Sequence, residues 1–128
     1  MVTPKSKSKS NASQYNSPML LIFSPAPEDH SYHLQMEQLE RIRLALRDHH
    51  VIIAEIFENN CGRIGQTDLS ADRCRQFRQH YHVPSGQFKI FLLGGDSVTH
   101  LSSEDCISWQ ELMMRMIETS DFPIPNVL

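Results

Sequence analysis

Two short apolar runs flank a helical stretch near the start of the chain, and this arrangement constrains the fold more than any other feature. Residues 19–23 (MLLIF) and residues 51–57 (VIIAEIF) are continuous or nearly continuous apolar runs, which are typical of strands covered on both faces. Between them, large side chains recur at spacings of three or four, as helices require: Tyr32, Met36, Leu39, Ile42 and Leu46. Asp29 or Ser31 can cap this helix. A strand–helix–strand unit requires a parallel pair with a right-handed crossover.

The second half of the chain predicts a helix and two more strands. Gly62 and Gly65 indicate a loop, and Ser70 begins a helix that residues 84–86 (PSG) end. Its apolar stripe is Cys74, Phe77 and Tyr81. Residues 88–93 form a third strand, and the Gly94-Gly95-Asp96 turn leads to a fourth strand of alternating character over residues 97–101.

The strongest periodic signal predicts a closing helix. Ser108 and Glu111 have the spacing of a capping box. The apolar positions that follow fall at i, i+3, i+4, i+7 and i+8: Trp109, Leu112, Met113, Met116 and Ile117. The order βαβαββα predicts an α/β fold with a mixed four-stranded sheet and helices on both faces.

Length and charge limit the domain count and the partners. The 128 residues suit one domain, predicted over residues 18–123 between a disordered polar tail (1–17) and a C-terminal tail (124–128). Lys5, Lys7 and Lys9 lie in the first tail, so the body is more acidic than the net charge of −3 suggests. This argues against nucleic-acid binding. No apolar run is long enough for a signal peptide or membrane span, which predicts a soluble, cytoplasmic protein, or an extracellular or periplasmic one if a signal is missing.

Two segments resemble thioredoxins. Residues 21–27 (LIFSPAP) are similar to the strand that leads to the thioredoxin active site, which places the C-x-x-C positions near Glu28-Asp29-His30-Ser31. Residues 81–96 resemble the segment from the second helix through the third strand, which places the family's cis-proline on Gln87. The resemblance therefore implies a thioredoxin-like fold without its usual cysteines or cis-proline.

A closer resemblance is to the thioredoxin-like family catalogued as domain of unknown function 4174. It rests on residues 23–26 (FSPA), the strand and turn at 92–96 (LLGGD) and the closing helix, and covers about residues 18–123. This family occurs in small bacterial proteins and in sushi-repeat and coiled-coil-domain extracellular proteins of animals, and is described as peroxiredoxin-like. The sequence departs from the family pattern after Ile117-Glu118, where the family's terminal arginine is absent.

The cysteine positions favour binding over catalysis. Thiol chemistry needs a thiolate whose pKa is lowered by a helix N-terminus or a cation, but the first helix begins at carboxylates, a histidine and a serine. We therefore predict a non-catalytic thioredoxin-like module that contacts an unknown protein partner. Its candidate binding surface is the N-terminus of the first helix: Glu28, Asp29, His30, Ser31 and His33. The alternative is a divergent thiol-dependent oxidoreductase or peroxiredoxin-like protein that uses a displaced thiol: Cys61, Cys74 or Cys106.

Cofactors and metals receive no support from the sequence. Seven histidines include the clusters His30/His33, His49/His50 and His80/His82, but none has the spacing of a zinc signature. Solvated histidines at the ends of helices and strands, where they often interact with helix termini, explain these clusters better than a metal site does. No hydrolase or nucleotide-binding motif is present. We predict no metal site and no cofactor.

Overall fold

The computed structural model describes residues 17–118, which form six strands and four helices. In chain order they are β1 (Met19–Ser24), α1 (His30–Arg41), α2 (Arg43–Asp48), β2 (Ile52–Phe57), β3 (Gly62–Ile64), β4 (Thr67–Leu69), α3 (Ala71–His80), β5 (Lys89–Leu93), β6 (Thr99–Ser103) and α4 (Trp109–Glu118). Apart from Ser17, both predicted tails, 1–17 and 124–128, lie outside the described residues, as do residues 119–123 of the predicted domain.

All six strands belong to one mixed sheet in the order β4-β3-β2-β1-β5-β6. β1 pairs with β2 in parallel, and every other neighbouring pair is antiparallel. The α/β class is therefore confirmed, and so is the parallel pair that the first strand–helix–strand unit requires. The predicted count of four strands is wrong, because β3 and β4 extend the sheet beyond β2.

The β3–β4 hairpin occupies the segment predicted as a loop from Gly62 and Gly65. Each of its strands has three residues, too few to show alternation in the sequence. Gly65 lies in the turn at φ +59°, the left-handed conformation that glycine adopts without steric cost. The turn glycine was thus recognised, but the short strands beside it were not.

Two further boundaries differ from the prediction. The first helix is broken at Ile42 (φ −122°, ψ 26°) into α1 and α2, although Ile42 and Leu46 both remain buried as the stripe predicts. Both side chains pack in one apolar cluster with Leu20 and Ile22 of β1. The fourth strand was predicted at residues 97–101 and lies at Thr99–Ser103. Ser97, at φ +70°, still belongs to the turn before it.

The sheet separates two apolar layers, because successive side chains of β1 point to opposite faces. Phe23 and the other β1 residues that share its face of the sheet pack with Cys74 and Phe77 of α3. Leu20 and Ile22 pack on the other face with apolar side chains of α1, α2 and α4. All six residues of β1 are buried. The predicted helices on both faces are therefore confirmed.

Local hydrogen bonds fix where the helices begin. The side chains of Asp29, Ser70 and Ser108 accept from the backbone N–H three residues later, at 3.3, 3.2 and 3.2 Å, in α1, α3 and α4. In α4, Leu112 and Met116 are buried, whereas Ile117, predicted on the same stripe, is 68% exposed. Between residues 17 and 118, none of the helices is long and apolar enough to cross a membrane.

Candidate functional site

The carboxyl ends of β1 and β2 meet at one edge of the sheet, where α/β proteins commonly bind ligands. β5 runs antiparallel to β1, so the loop that enters β5 lies at this edge too. The Glu58 N–H, just after β2, donates to the Pro25 carbonyl, just after β1, at 3.4 Å. We call this region the carboxyl edge. It contains the start of α1, the residues after β2 and the loop before β5.

The predicted binding surface lies at the start of α1, at the carboxyl edge. Asp29 is half-buried, and its carboxylate accepts from the Tyr32 N–H as the helix cap. Glu28, His30 and His33 are exposed, and Ser31 is partly exposed. Asp29 thus has a structural role, and the other four residues stay a predicted contact surface.

Tyr32 connects this helix to β2. Its hydroxyl donates a short hydrogen bond to the Glu55 carboxylate, and its ring packs edge-to-face on Phe57 with centroids 5.1 Å apart. Burial raises the pKa of Tyr32 well above its ordinary value, and the hydrogen bond and charge of Glu55 raise it further. Tyr32 is therefore held as a neutral donor, which suits a role in fixing α1 on the sheet.

Glu58 is held by the loop that precedes β5. Its carboxylate accepts from the Ser85 hydroxyl and from the Gly86 N–H, the latter at 2.9 Å. These two bonds, in that order, lower the pKa of Glu58; burial opposes them, and the nearby Arg78 makes the smallest contribution to the lowering. Glu58 therefore joins the end of β2 to the loop 27 or 28 residues further along the chain.

A surface cavity of about 520 Å³ opens between Glu58, the C-terminal half of α3 and the loop before β5. Arg78 of α3 lines it and is only 6% exposed. One terminal nitrogen, Nη2, donates to the Pro84 carbonyl at 2.7 Å and lies 3.7 Å from the Glu58 carboxylate. The other, Nη1, is buried without a hydrogen-bond partner among the described residues. The cavity therefore has a buried guanidinium with unused donor capacity in its wall.

Arg78 and Glu58 are functional candidates that the sequence interpretation missed. Arg78 follows Cys74 by four residues and Phe77 by one, so it lies on the buried side of the α3 stripe. A charged residue at a buried helical position is unusual unless it is paired, and that signal was available in the sequence. The partner was not, because Glu58 lies in a different element.

The three cysteines lie in different environments. Cys61 is exposed, Cys74 is fully buried and Cys106 is partly buried. Burial raises the pKa of the Cys74 thiol and of the Cys106 thiol, and Glu37 raises the latter further. Raised pKa values keep these two thiols protonated and less nucleophilic.

Neither the Cys74 nor the Cys106 position corresponds to the start of α1. Cys74 packs in the layer on the α3 side of the sheet, opposite to the layer that contains α1. Cys106 precedes Ile107, whose backbone pairs with Gln35 in the second turn of α1. At Gln87, where the resemblance places the thioredoxin cis-proline, the peptide bond is trans, like every peptide bond between residues 17 and 118.

Two of the histidine clusters mark helix ends. His50 and His82 have left-handed backbones, with φ of 61° and 56°, directly after α2 and α3. The N–H of the next residue, Val51 or Val83, donates to the carbonyl five residues back, at 2.9 and 3.0 Å, as in a Schellman cap. Over residues 17–118, no group of three or more His, Cys, Asp or Glu side chains is arranged to hold a metal ion.

Comparison with known families agrees with the resemblance in the sequence. The model of one family, described as domain of unknown function (DUF4174), matches residues 12–118. The chain belongs to this family. No curated protein matches the DUF4174 chain. Membership therefore identifies the kind of domain. Any statement about its activity rests on the residues of the carboxyl edge.

Proposed function

We propose that the protein is a non-catalytic binding domain with a thioredoxin-like core, and that the carboxyl edge is its binding surface. The observation that carries this proposal is the cavity beside Arg78, whose guanidinium is buried in its wall with one nitrogen unpaired among the described residues. A buried charged donor without a hydrogen-bond acceptor lowers the stability of a folded protein. Such donors are commonly found at sites that bind ligands.

The strand arrangement supports the thioredoxin-like part of the proposal. β2, β1, β5 and β6 are adjacent in that order, with one parallel pair followed by two antiparallel pairs. These correspond to the four strands from which the sequence predicts a thioredoxin-like core. The β3–β4 hairpin is an addition at the β2 side of the sheet.

The thiol environments support binding rather than redox catalysis. Residues 28–31, at the position that the resemblance gives to the redox cysteines, contain no cysteine. Cys74 and Cys106 have raised pKa values, which disfavour the thiolate. The divergent oxidoreductase thus depends on Cys61, the exposed thiol, as its attacking group.

Two measurements test the proposal. Insulin reduction and peroxide consumption are compared for the wild type and the C61S/C74S/C106S variant, and we expect no turnover that depends on the cysteines. The same variant is then titrated with a set of small neutral, cationic and anionic aromatic compounds while backbone amide resonances are recorded. We expect shifts at Glu58 and residues 83–86. Cysteine-dependent turnover, or compounds that bind only elsewhere, would reject the proposal.

A further inference from the structure

The cavity of the carboxyl edge has the size and lining of a small-molecule site. Its volume of about 520 Å³ falls within the usual range for such sites, roughly 300–1,000 Å³. Val83 and Pro84 supply apolar wall, while Arg75, Arg78 and Ser85 supply polar groups. An apolar wall with a few polar groups suits an organic ligand that carries one polar end.

The hydrogen bonds around Arg78 leave one of its two terminal nitrogens without an acceptor. A guanidinium has five N–H donors and no acceptor. Of the terminal nitrogens, Nη2 is engaged by the Pro84 carbonyl, and Nη1 has no partner among residues 17–118. The bond from Nη2 to the Pro84 carbonyl holds the guanidinium, and the backbone of Arg78 is held by the bond from the Val83 N–H to its carbonyl at 3.0 Å in the cap of α3. A buried, immobilised donor without an acceptor is complementary to a ligand oxygen.

The charge of the cavity selects an anion, and the position of Glu58 limits the charge of that anion. Arg75 and Arg78 line the cavity against a single carboxylate, Glu58, although Arg75 is already paired with Asp72 on the exposed side of α3, so Arg78 is the cation available to a ligand. Glu58 is already bonded to Ser85 and Gly86 and lies 3.7 Å from Arg78. Because the charge of Glu58 offsets much of the charge of Arg78, a second negative charge on the ligand gains little attraction and adds a desolvation cost, which favours a monoanion.

We infer that the cavity binds a monocarboxylate with an apolar body, and that the buried Arg78 guanidinium anchors the carboxylate through Nη1. This inference rests on the proposed function and adds the chemical class of the ligand. Nη1 has essentially no surface in contact with solvent, so a ligand oxygen reaches it through a small displacement of a side chain at the rim. Gln79 and His82 are exposed side chains of the cavity lining. The carboxylate belongs to a free small molecule or to the C-terminus of a peptide.

The test titrates the full chain with probes of matched shape and different charge. Sodium benzoate, neutral benzamide and inorganic phosphate are compared by amide chemical shifts. We expect benzoate to bind with a Kd of about 1–10 mM and to shift residues 83–86, with benzamide at least tenfold weaker. A tetrapeptide with a free C-terminus and its C-terminal amide then distinguish the two sources of carboxylate. Selective binding of the free acid, tighter than benzoate, identifies a peptide terminus, and binding of benzoate alone identifies a small molecule.

Variants assign the binding to Arg78. R78Q should weaken benzoate binding at least tenfold, while R43Q, which removes the same charge from the opposite face of the sheet, should change it less than about twofold. Because R78Q removes a buried charge and can unfold the chain, E58Q provides an independent measurement. Loss of the Glu58 charge should tighten benzoate binding at least about threefold, since the competing negative charge is gone.

The outcomes separate this inference from the proposed function. If benzamide binds the carboxyl edge as tightly as benzoate, or if phosphate binds and benzoate does not, the carboxylate assignment is wrong and the binding domain remains. An unchanged or weaker benzoate affinity in folded E58Q also overturns the assignment. If no compound of any charge shifts resonances at this edge, the proposed function itself fails.

Discussion

The side-chain amide of Gln35 pairs with both backbone groups of Ile107. Its Nε2 donates to the Ile107 carbonyl at 3.0 Å, and its Oε1 accepts from the Ile107 N–H at 2.8 Å. Gln35 is fully buried in α1, and Ile107 is buried in the segment before α4. A residue 72 positions away thus supplies the hydrogen bonds that a strand or helix would otherwise give to this segment.

The first prediction follows from this pair. Gln35→Ala leaves the Ile107 N–H buried without a partner and leaves its carbonyl with only the weak donor of the Cys106 thiol at 3.9 Å, and a buried group without a partner costs about 1–3 kcal/mol. We expect the free energy of unfolding to fall by about 2–4 kcal/mol in urea denaturation. Gln38→Ala is the matched control, because Gln38 accepts a single bond, from the Trp109 N–H, and is only partly buried. A loss for Gln35→Ala no larger than for Gln38→Ala contradicts the prediction.

The second prediction concerns Gly62, where β3 approaches β2. A methyl group at this position would lie 2.2 Å from the Glu55 carbonyl oxygen and 3.0 Å from the Cys74 sulfur. Because the first contact is with backbone, Gly62→Ala should force β3 away from β2 and destabilise the chain by more than about 2 kcal/mol. At Gly86 the backbone has φ +79° but the space is open, so Gly86→Ala should cost about 1 kcal/mol. Thermal unfolding of both variants measures the difference, and equal losses would exclude the close approach.

The third prediction is a pH dependence from Glu58. Its pKa is lowered in the folded chain, so it stabilises the fold above its unfolded pKa, about 4.3, and this stabilisation is lost as the pH falls through the lower folded value. The difference in unfolding free energy between wild type and Glu58→Gln should therefore shrink as the pH falls from about 5 to 3. Ser85→Ala removes the largest cause of the shift and should weaken this dependence. A difference that is constant over this pH range would show that the bonds to Glu58 do not form.

The fourth prediction concerns Tyr32 at alkaline pH. Its pKa is raised in the folded chain by burial and by Glu55, so the unfolded tyrosine ionises first, at about 10. The stability that Tyr32 contributes is complete below pH 10 and is lost as the pH rises toward the folded value. Wild type should lose more stability than Tyr32→Phe between about pH 9.5 and 11.5. Urea denaturation across this range measures it, and parallel losses in the two proteins would contradict the raised pKa.

The fifth prediction ranks the thiols by access. Iodoacetamide should modify Cys61 in the native chain, Cys106 more slowly, and Cys74 only after denaturation, because these thiols are exposed, partly buried and fully buried. Peptide mass spectrometry of timed samples reports each site separately. Rapid native labelling of Cys74 would mean that the α3 side of the core opens readily, and would restore Cys74 as a candidate redox thiol.

Much of the architecture was predictable because its signals are local. The apolar run of β1 indicates burial on both faces, and Ser70 and Ser108 mark the helices that they cap. The β3–β4 hairpin was not predictable, because strands of three residues gain their stability from pairing with β2 rather than from a pattern of their own.

The features of the candidate site also divide into local ones, which the sequence shows, and contacts that only the fold creates. The sequence by itself determined that residues 28–31 hold no cysteine and that α1 begins there, since a cap and a residue type are local properties. The tertiary structure alone decided that Glu58 meets Ser85 and that the guanidinium of Arg78 lies beside Glu58. These contacts join the ends of strands and helices 20 or more residues apart, and their distances depend on how the sheet pairs and how α3 packs on it. The missing thiol is therefore a property of the chain, and the cavity beside the partly satisfied guanidinium of Arg78 is a property of the fold.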